Sequence, residues 1–336
     1  MIVSSKNKEF DLYLKCFLET QSWLSPIYTQ SALRYYFQRP SDEKRKIQDK
    51  SFILLWEDEP VIAFRGATVE TNGKIDLLAY EVPCISVENK AILTTKAGKA
   101  SLKEFDRIAE EVNGLIIYRD FLIDSELSTL SNHLLRKGAK ATLLFSKVLD
   151  LNKDELKLKS HIRKSYSSLI NWGLREMQPQ ILDSSNVTLG SIEDFRKLHT
   201  HEAGRETRSK ESWRRQFEMV QAGEAFVVLA QLNNELVSAG FFIHSKTNCY
   251  YGVSASRRDM FEKPMFHSLM WTAILHSKKL GCRWFEVGEQ LYPNHPPDKP
   301  PSKKELGISE FKAGFGGETR MFLDLMLDCT GKENYE

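Results

Sequence analysis

Hydrophobic and polar positions fall into blocks that switch between a helical period and short apolar runs. Phe10, Leu12, Leu14, Phe17 and Leu18 mark a helix over 9–19, and a second is predicted over 30–37. Phe52-Ile-Leu-Leu-Trp56 and Val61-Ile-Ala-Phe64 read as strands joined by the polar turn 57–60. An amphipathic helix over 102–112, a buried strand over 115–118, a helix over 125–137 stopped by Gly138 and a strand over 141–149 follow. Beyond Leu151 the pattern predicts a basic helical region over 153–175 and helices over 192–201 and 209–221. Strands are predicted over 225–231, 236–244 and 248–254, then a long helix over 264–280 and a strand over 283–287. Residues 292–302 are proline-rich and predict a loop.

Two parts of this pattern look alike. Residues 52–63 overlay 227–238 without gaps, each a buried strand, a short polar turn and a second buried strand. Helices precede both hairpins, and strand and helix follow both, so a tandem α/β unit is the organisation the order suggests.

At 336 residues the chain is long for one domain, and a formal net charge of +2 does not by itself announce a nucleic-acid partner. Its five cysteines, Cys16, Cys84, Cys249, Cys282 and Cys329, form no C-x-x-C pair. That disfavours a zinc site or a disulfide framework and suggests a reducing compartment. The first residues show no apolar signal core, and no run approaches the ~18 apolar residues of a membrane span. A cytoplasmic protein without a membrane span is expected.

Candidate chemistry concentrates late in the chain. Leu306-Gly-Ile-Ser-Glu-Phe-Lys-Ala-Gly-Phe-Gly-Gly-Glu318 sets Lys312 between two phenylalanines, with glycines close behind. The block reads either as a turn with a solvated lysine or as a cation beside a closely approachable backbone, suited to an anion or to developing negative charge. Tyr251, in Cys249-Tyr-Tyr-Gly-Val-Ser-Ala-Ser256, is either a sheet aromatic or a proton donor or relay. Pro264 to Gly281 reads as one helix with a possible anion site at its start. In the polar connection His199-Thr-His-Glu-Ala-Gly-Arg-Glu-Thr-Arg-Ser-Lys210, Arg205 and Arg208 are placed to clamp phosphates. His199, His201 and Glu202 lack the spacing of a metal motif, so no metal is assigned and both histidines are expected to be solvated at a helix end.

Taken together, Tyr251…Ser254, Pro264…Leu269…Trp271…Ala273, Trp284-Phe-Glu-Val-Gly288 and Gly307-Ile-Ser-Glu-Phe-Lys-Ala-Gly-Phe-Gly-Gly317 resemble the Fem-type aminoacyl- and peptidyltransferases. The basic stretch His161 to Gly173 resembles that family's basic helix. The resemblance covers about the last 190 residues and implies an α/β fold of two tandem GNAT-like domains, with mixed sheets flanked by helices. It places an N-terminal GNAT-like domain at 1–148 and a C-terminal one, carrying most of the site, at 149–318, with the tail 319–336 able to pack back on the first. It also implies Lys312 at the reaction centre with Tyr251 lining it, and Arg208 on the diphosphate of an acceptor. Arg205, Glu289, Phe311 and Gly314 join Arg208 as substrate-binding candidates. A first-domain basic contact falls on Arg34 or Arg39. Glu286 and the single Gly288 depart from the family's Asp-glycine pattern and leave the acceptor pocket open.

No serine–histidine–acid or cysteine–histidine set stands out, so direct attack of an acceptor amine on an activated ester fits better than a covalent intermediate. The expected activity is N-acyl transfer, with no bound cofactor, to a phosphate-bearing sugar or peptide acceptor of cell-wall or surface-polysaccharide synthesis. The segment Ser256-Arg-Arg-Asp-Met-Phe-Glu-Lys-Pro264 lacks the glycines that wrap the pyrophosphate of acyl-CoA in GNAT enzymes, which favours aminoacyl-tRNA as co-substrate. Arg163, Lys164, Arg257 and Arg258 are the donor-binding candidates, with a solvated basic helix as the plain alternative. Acyl-CoA as donor, and a non-catalytic relative binding a nucleotide sugar or RNA, are the competing readings.

Overall fold

The computed structural model describes residues 1–38, 45–260, 262–297 and 299–331. In chain order it begins with β1 (Ile2–Ser4), α1 (Phe10–Glu19), α2 (Gln30–Gln38), β2 (Lys46–Asp49), β3 (Phe52–Trp56) and β4 (Glu59–Arg65). Next come β5 (Ala67–Thr71), β6 (Lys74–Leu78), β7 (Ile85–Glu88), α3 (Thr95–Ala109), β8 (Leu115–Asp120), α4 (Thr129–Arg136) and β9 (Lys140–Asp150). The predicted basic helix is two helices, α5 (Glu155–Ser160) and α6 (Lys164–Glu176), followed by β10 (Gln180–Leu182), α7 (Leu189–Ala203) and α8 (Lys210–Gln221). The chain closes with β11 (Ala225–Leu232), β12 (Glu235–His244), β13 (Asn248–Ser256), α9 (His267–Lys279), β14 (Trp284–Glu289), α10 (Lys303–Ala313) and β15 (Glu318–Asp328).

These elements form two compact units, one of Met1–Ser22, Asp42–Leu144 and Met321–Glu336, the other of Trp23–Ser41 and Phe145–Arg320. The segment 23–41 belongs with the second unit, although its position in the sequence grouped it with the first. Its anchors are long-range and leave no local signature: Leu24 N donates to Asn248 Oδ1 (3.4 Å), and the Tyr35 ring meets Phe241 at 6.2 Å.

In the first unit, β1, β3, β4 and β7 form an antiparallel sheet. A second set runs β15-β8-β6-β5-β2, with only the β8–β6 pair parallel. Arg119 on β8 grips Asp324 on β15 through two hydrogen bonds of 2.6 and 2.8 Å, a bidentate geometry that fixes register as well as charge.

The second unit holds a six-stranded sheet in the order β10-β11-β12-β13-β14-β9, antiparallel except for β13–β14. Phe226, Val228 and Ala230, two residues apart on β11, enter one core with Phe242 of β12 and with Ile170 of α6 and Leu269, Ala273 and Ile274 of α9. The alternating Val227 and Phe241 are equally buried on the other face. A sheet covered on both sides needs continuous apolar runs, which is why these strands show no polar alternation.

The two hairpins noted in the sequence are the same structure with a shifted register. Glu57 and Asp58 take φ of 52° and 65°, and Asn233 and Asn234 take 53° and 64°, the doubly left-handed turn that matches strand twist. Trp56 pairs with Glu59 and Leu55 with Pro60, as Leu232 pairs with Glu235 and Gln231 with Leu236, and each second strand carries one extra residue, Val61 or Val237. The structural correspondence is therefore one residue beyond the gapless overlay of 52–63 on 227–238, and a one-residue slip reverses every side chain. Glutamate is poorly suited to a left-handed position. Replacing Glu57-Asp58 by Asn-Gly should raise stability by about 1 kcal/mol, read as a higher denaturant midpoint at unchanged slope.

Candidate functional site

The second-unit sheet opens where β13 and β14 part. They pair through Asn248–Trp284, Cys249–Phe285 and Tyr250–Glu286, while β13 runs on to Ser256 and β14 to Glu289. Both strands are irregular beyond that point. Against β12, Gly252 is an extra residue between the pairs Phe242–Tyr251 and Phe241–Val253. Against β9, Val287 is an extra residue between Glu286–Val148 and Gly288–Lys147. Such insertions bend a strand and re-aim its side chains. The gap they leave has Tyr251 on one rim and Gly288 on the other.

Lys312 enters this gap. It stands in the last turn of α10, a helix started by a capping box in which Ser302 and Glu305 satisfy each other's backbone amides. The glycines therefore do not put the lysine in a turn; the turn comes after it. Gly316 and Gly317 have φ of 84° and 86°, and a Cβ on them would meet His161 O at 2.7 Å and Val148 O at 2.6 Å. The loop is pressed against the α5–α6 junction and β9, which fixes the end of α10.

The ammonium lies 5.7 Å from the centre of the Tyr251 ring, within range of a cation–π attraction. A Cβ on Gly288 would sit 2.9 Å from Lys312 Nζ, the movable end of a long side chain, and Gly288 has φ of 111°, so the backbone angle is what favours glycine there while the added bulk would push the ammonium aside. Among the described residues Lys312 makes no hydrogen bond or ion pair. Burial lowers its pKa from the ordinary lysine value, and the negative charges of Glu289 and then Glu286 oppose that shift. Glu286 is buried and accepts a hydrogen bond from Ser146 Oγ (3.0 Å), while Glu289 is exposed.

Tyr251 and Ser254 share a hydrogen bond of 2.5 Å between their hydroxyls, and Phe242 and Phe266 flank the ring at 5.7 and 5.4 Å. Burial pushes the phenol up to about 12, so it keeps its proton near neutrality.

Phe311 packs with Tyr166, His267 and Phe315, the last two at 5.1 and 5.3 Å, and so walls the lysine's helix. Gly314, a substrate-binding candidate from the sequence, is a packing position instead. The place of its missing Cβ is occupied by the Tyr166 ring, and its carbonyl accepts the Arg163 amide (2.8 Å).

Arg208 lies on the other face of β12 from the α6–α9 core, joined to it through Tyr35 and Phe241. Its Nε donates to Tyr35 Oη (3.1 Å) and its Nη1 to His199 Nε2 (3.0 Å). His199 is thus half-buried and engaged, contrary to the expectation of a solvated helix-end histidine; His201 is exposed and bonds Glu202 (2.9 Å). Arg205 and Arg34 are exposed, and Arg39 lies outside the described residues.

The four donor-binding candidates do not form one surface with one role. Arg163 and Lys164 open α6 on the exposed side of the aromatic wall, where Arg163 reaches Glu310 (3.4 Å) and covers Tyr166 at 5.2 Å. Arg257 is committed to Asp259 (2.5 Å) and Glu235 (3.2 Å). With Arg258 it lines a cleft shared with Lys197, Glu202 and Asp259, whose lining includes neither Lys312 nor Tyr251. Sequence reasoning missed Tyr35, Tyr166, His267 and the docking role of Gly288. Only Gly288 had a signal, as an isolated glycine ending a strand.

The fold is a tandem GNAT fold with mixed α/β domains. The structure resembles that of FemX (TM-score 0.62, 12% identity, covering 88% of this chain and 95% of that one). It also resembles L-PGS from Bacillus licheniformis (0.56, 12%, 93% and 90%) and a tandem GNAT protein from the clavulanic acid biosynthesis pathway (0.53, 10%, 99% and 99%). No family sequence profile and no curated protein matches the chain. Among the described residues, no helix is long and apolar enough to cross a membrane.

Gly288→Ala should cost about 1–3 kcal/mol through its backbone angle and displace the ammonium, detected as a moved Lys312 side-chain nitrogen resonance in a chain that still folds.

Proposed function

We propose that the protein is an N-acyltransferase that moves an aminoacyl group from an activated ester donor to the amine of a phosphate-bearing acceptor. The observation that carries this reading is the Lys312 ammonium, half-buried and without a hydrogen-bonding partner among the described residues, in the gap between Tyr251 and Gly288. A cation fixed before the reaction and shielded from water stabilises an oxyanion more than a solvated one does, because nothing must reorganise when the charge appears.

In the proposed step the acceptor nitrogen attacks the donor carbonyl, and a C–N bond forms while the carbonyl oxygen becomes negative beside Lys312. The C–O ester bond then breaks. The nitrogen loses a proton and the leaving oxygen gains one. Tyr251, protonated at neutral pH and oriented by Ser254, gives its proton to that oxygen and is restored by the proton the nitrogen releases, so it relays one proton and ends as it began. Arg208 holds acceptor phosphate.

Aminoacyl-tRNA is the proposed donor. The ammonium fills the strand gap, and Arg257, which begins the connection after β13, is already neutralised by Asp259 and Glu235. Lys164 remains as an exposed cation for an RNA backbone, with the exposed Arg163 beside it in a long pair with Glu310 (3.4 Å). The Fem resemblance supports an acceptor from cell-wall or surface-polysaccharide synthesis and a cytoplasmic setting. Native gel shift with charged tRNA, set against calorimetry with acetyl-CoA, tests the donor; acetyl-CoA binding without a tRNA shift sinks this choice. Binding of tRNA or a nucleotide sugar with no transfer over a panel of amine-bearing acceptors would favour a non-catalytic relative.

Lys312→Ala should leave folding intact and cut turnover by roughly a hundredfold or more. Unchanged turnover would end the role given to Lys312. The wild-type rate should fall on the alkaline side as Lys312 loses its proton, at a pH below the ordinary lysine value of 10.5 because burial disfavours the ammonium. Glu289 favours the charged form, so Glu289→Gln should move that limb to lower pH.

A further inference from the structure

We propose that Tyr35 and His199 are positioning residues that hold the Arg208 guanidinium as a preformed receptor for a phosphate group. The inference rests on the acceptor role proposed for Arg208 and concerns what makes that role possible. A guanidinium offers five N–H donors in a fixed fork. Here Nε is spent on Tyr35 Oη (3.1 Å), and Nη1 on His199 Nε2 (3.0 Å) with a long contact to Thr207 Oγ1 (3.4 Å). Among the described residues Nη2 has no partner, and no carboxylate lies within 4.0 Å of the group.

Both principal acceptors are uncharged. The Tyr35 hydroxyl is a phenol, and a histidine nitrogen that accepts from an arginine must carry a lone pair, so the imidazole is neutral with its proton on Nδ1. Orientation is therefore achieved without cancelling the charge, unlike Arg257 or Arg196, whose partners are carboxylates. The holders are themselves fixed. Tyr35 is buried between Tyr36 (5.1 Å) and Phe241 (6.2 Å), and the His199 ring meets Trp213 edge-on at 5.4 Å. Arg208 also directly precedes Ser209, the N-cap of the twelve-residue α8, so the helix end adds positive potential on the same side. A half-buried, oriented guanidinium that, among the described residues, has no carboxylate partner and one nitrogen unengaged suits a pair of phosphate oxygens.

The test uses the full chain and uridine diphosphate as the diphosphate probe, titrated by calorimetry. Arg208→Ala should weaken binding about thirtyfold or more, and Tyr35→Phe and His199→Gln each about five- to tenfold, a smaller loss because the guanidinium itself remains. In an Arg208→Ala background the same two changes should alter affinity less than about twofold, because a residue that acts only through Arg208 has nothing left to position. Thermal midpoints of all variants establish that they fold. Wild-type affinity in both single variants, or an equal loss with and without Arg208, overturns the positioning role while leaving the anchor standing. No probe binding by the wild type, or no loss in Arg208→Ala, overturns the anchor itself and the proposal with it.

Discussion

An ammonium group taken out of water without a bonded counter-ion is costly, and the second unit is organised around one. The cost shows in the lowered pKa of Lys312. It is offset by the Tyr251 ring face and by the fields of Glu289 and Glu286, none of which contacts the nitrogen as a salt-bridge partner. Direct pairing would stabilise the resting state better and leave less charge for a reacting oxygen. A field without direct contact favours the charged lysine while leaving its donors open, a compromise characteristic of functional sites.

The gap that admits this group is built by irregularity in otherwise well-paired strands. Bulges at Gly252 and Val287 turn β13 and β14 apart, and the backbone angle of Gly288 clears the space. The first unit repeats the parallel pairing with other residues beside it. There β7 follows a single parallel bridge, Cys84–Tyr118, just as the parallel pairing in the second unit passes through Cys249–Phe285. Beyond that bridge Asp120 accepts from Leu122 N, Ser128 N and Ser131 Oγ and so secures the start of α4. The same opening is used for capping in one unit and for a buried cation in the other.

How much of this could be read from the sequence depended on whether the cause was local. The strands β3, β4, β11 and β12 were legible because burial on both faces makes them uniformly apolar, and the duplication was legible through their turns. Their register was not, because the decisive feature is the left-handed pair of turn residues, Glu57-Asp58 and Asn233-Asn234, and acidic and amide side chains align equally well one position away. The 306–317 block pointed to Lys312 but suggested a loop, since three nearby glycines outweighed the Ser302–Glu305 capping box that starts a helix upstream. Tyr35 had no signal: it lies some 170 residues from Arg208, and only the fold brings 23–41 to β12 and α8.

Net charge was the least informative quantity, and the reason is physical. Most surface arginines in the second unit are already answered: Arg196 by Glu193 and Glu206, Arg214 and Arg215 by Glu211 and Glu218, Arg257 by Glu235 and Asp259. Exposed pairs of this kind contribute little energy and select no ligand. Lys312 and Arg208 differ in kind. Each is half-buried, each is held by neutral or π-electron partners, and among the described residues neither has a carboxylate in contact. A charge in that condition keeps its capacity to attract an anion because the protein has paid its desolvation without using its field. Lys312 and Arg208 are cations in that condition, which is why the proposed oxyanion and acceptor-phosphate roles fall to them rather than to the paired arginines.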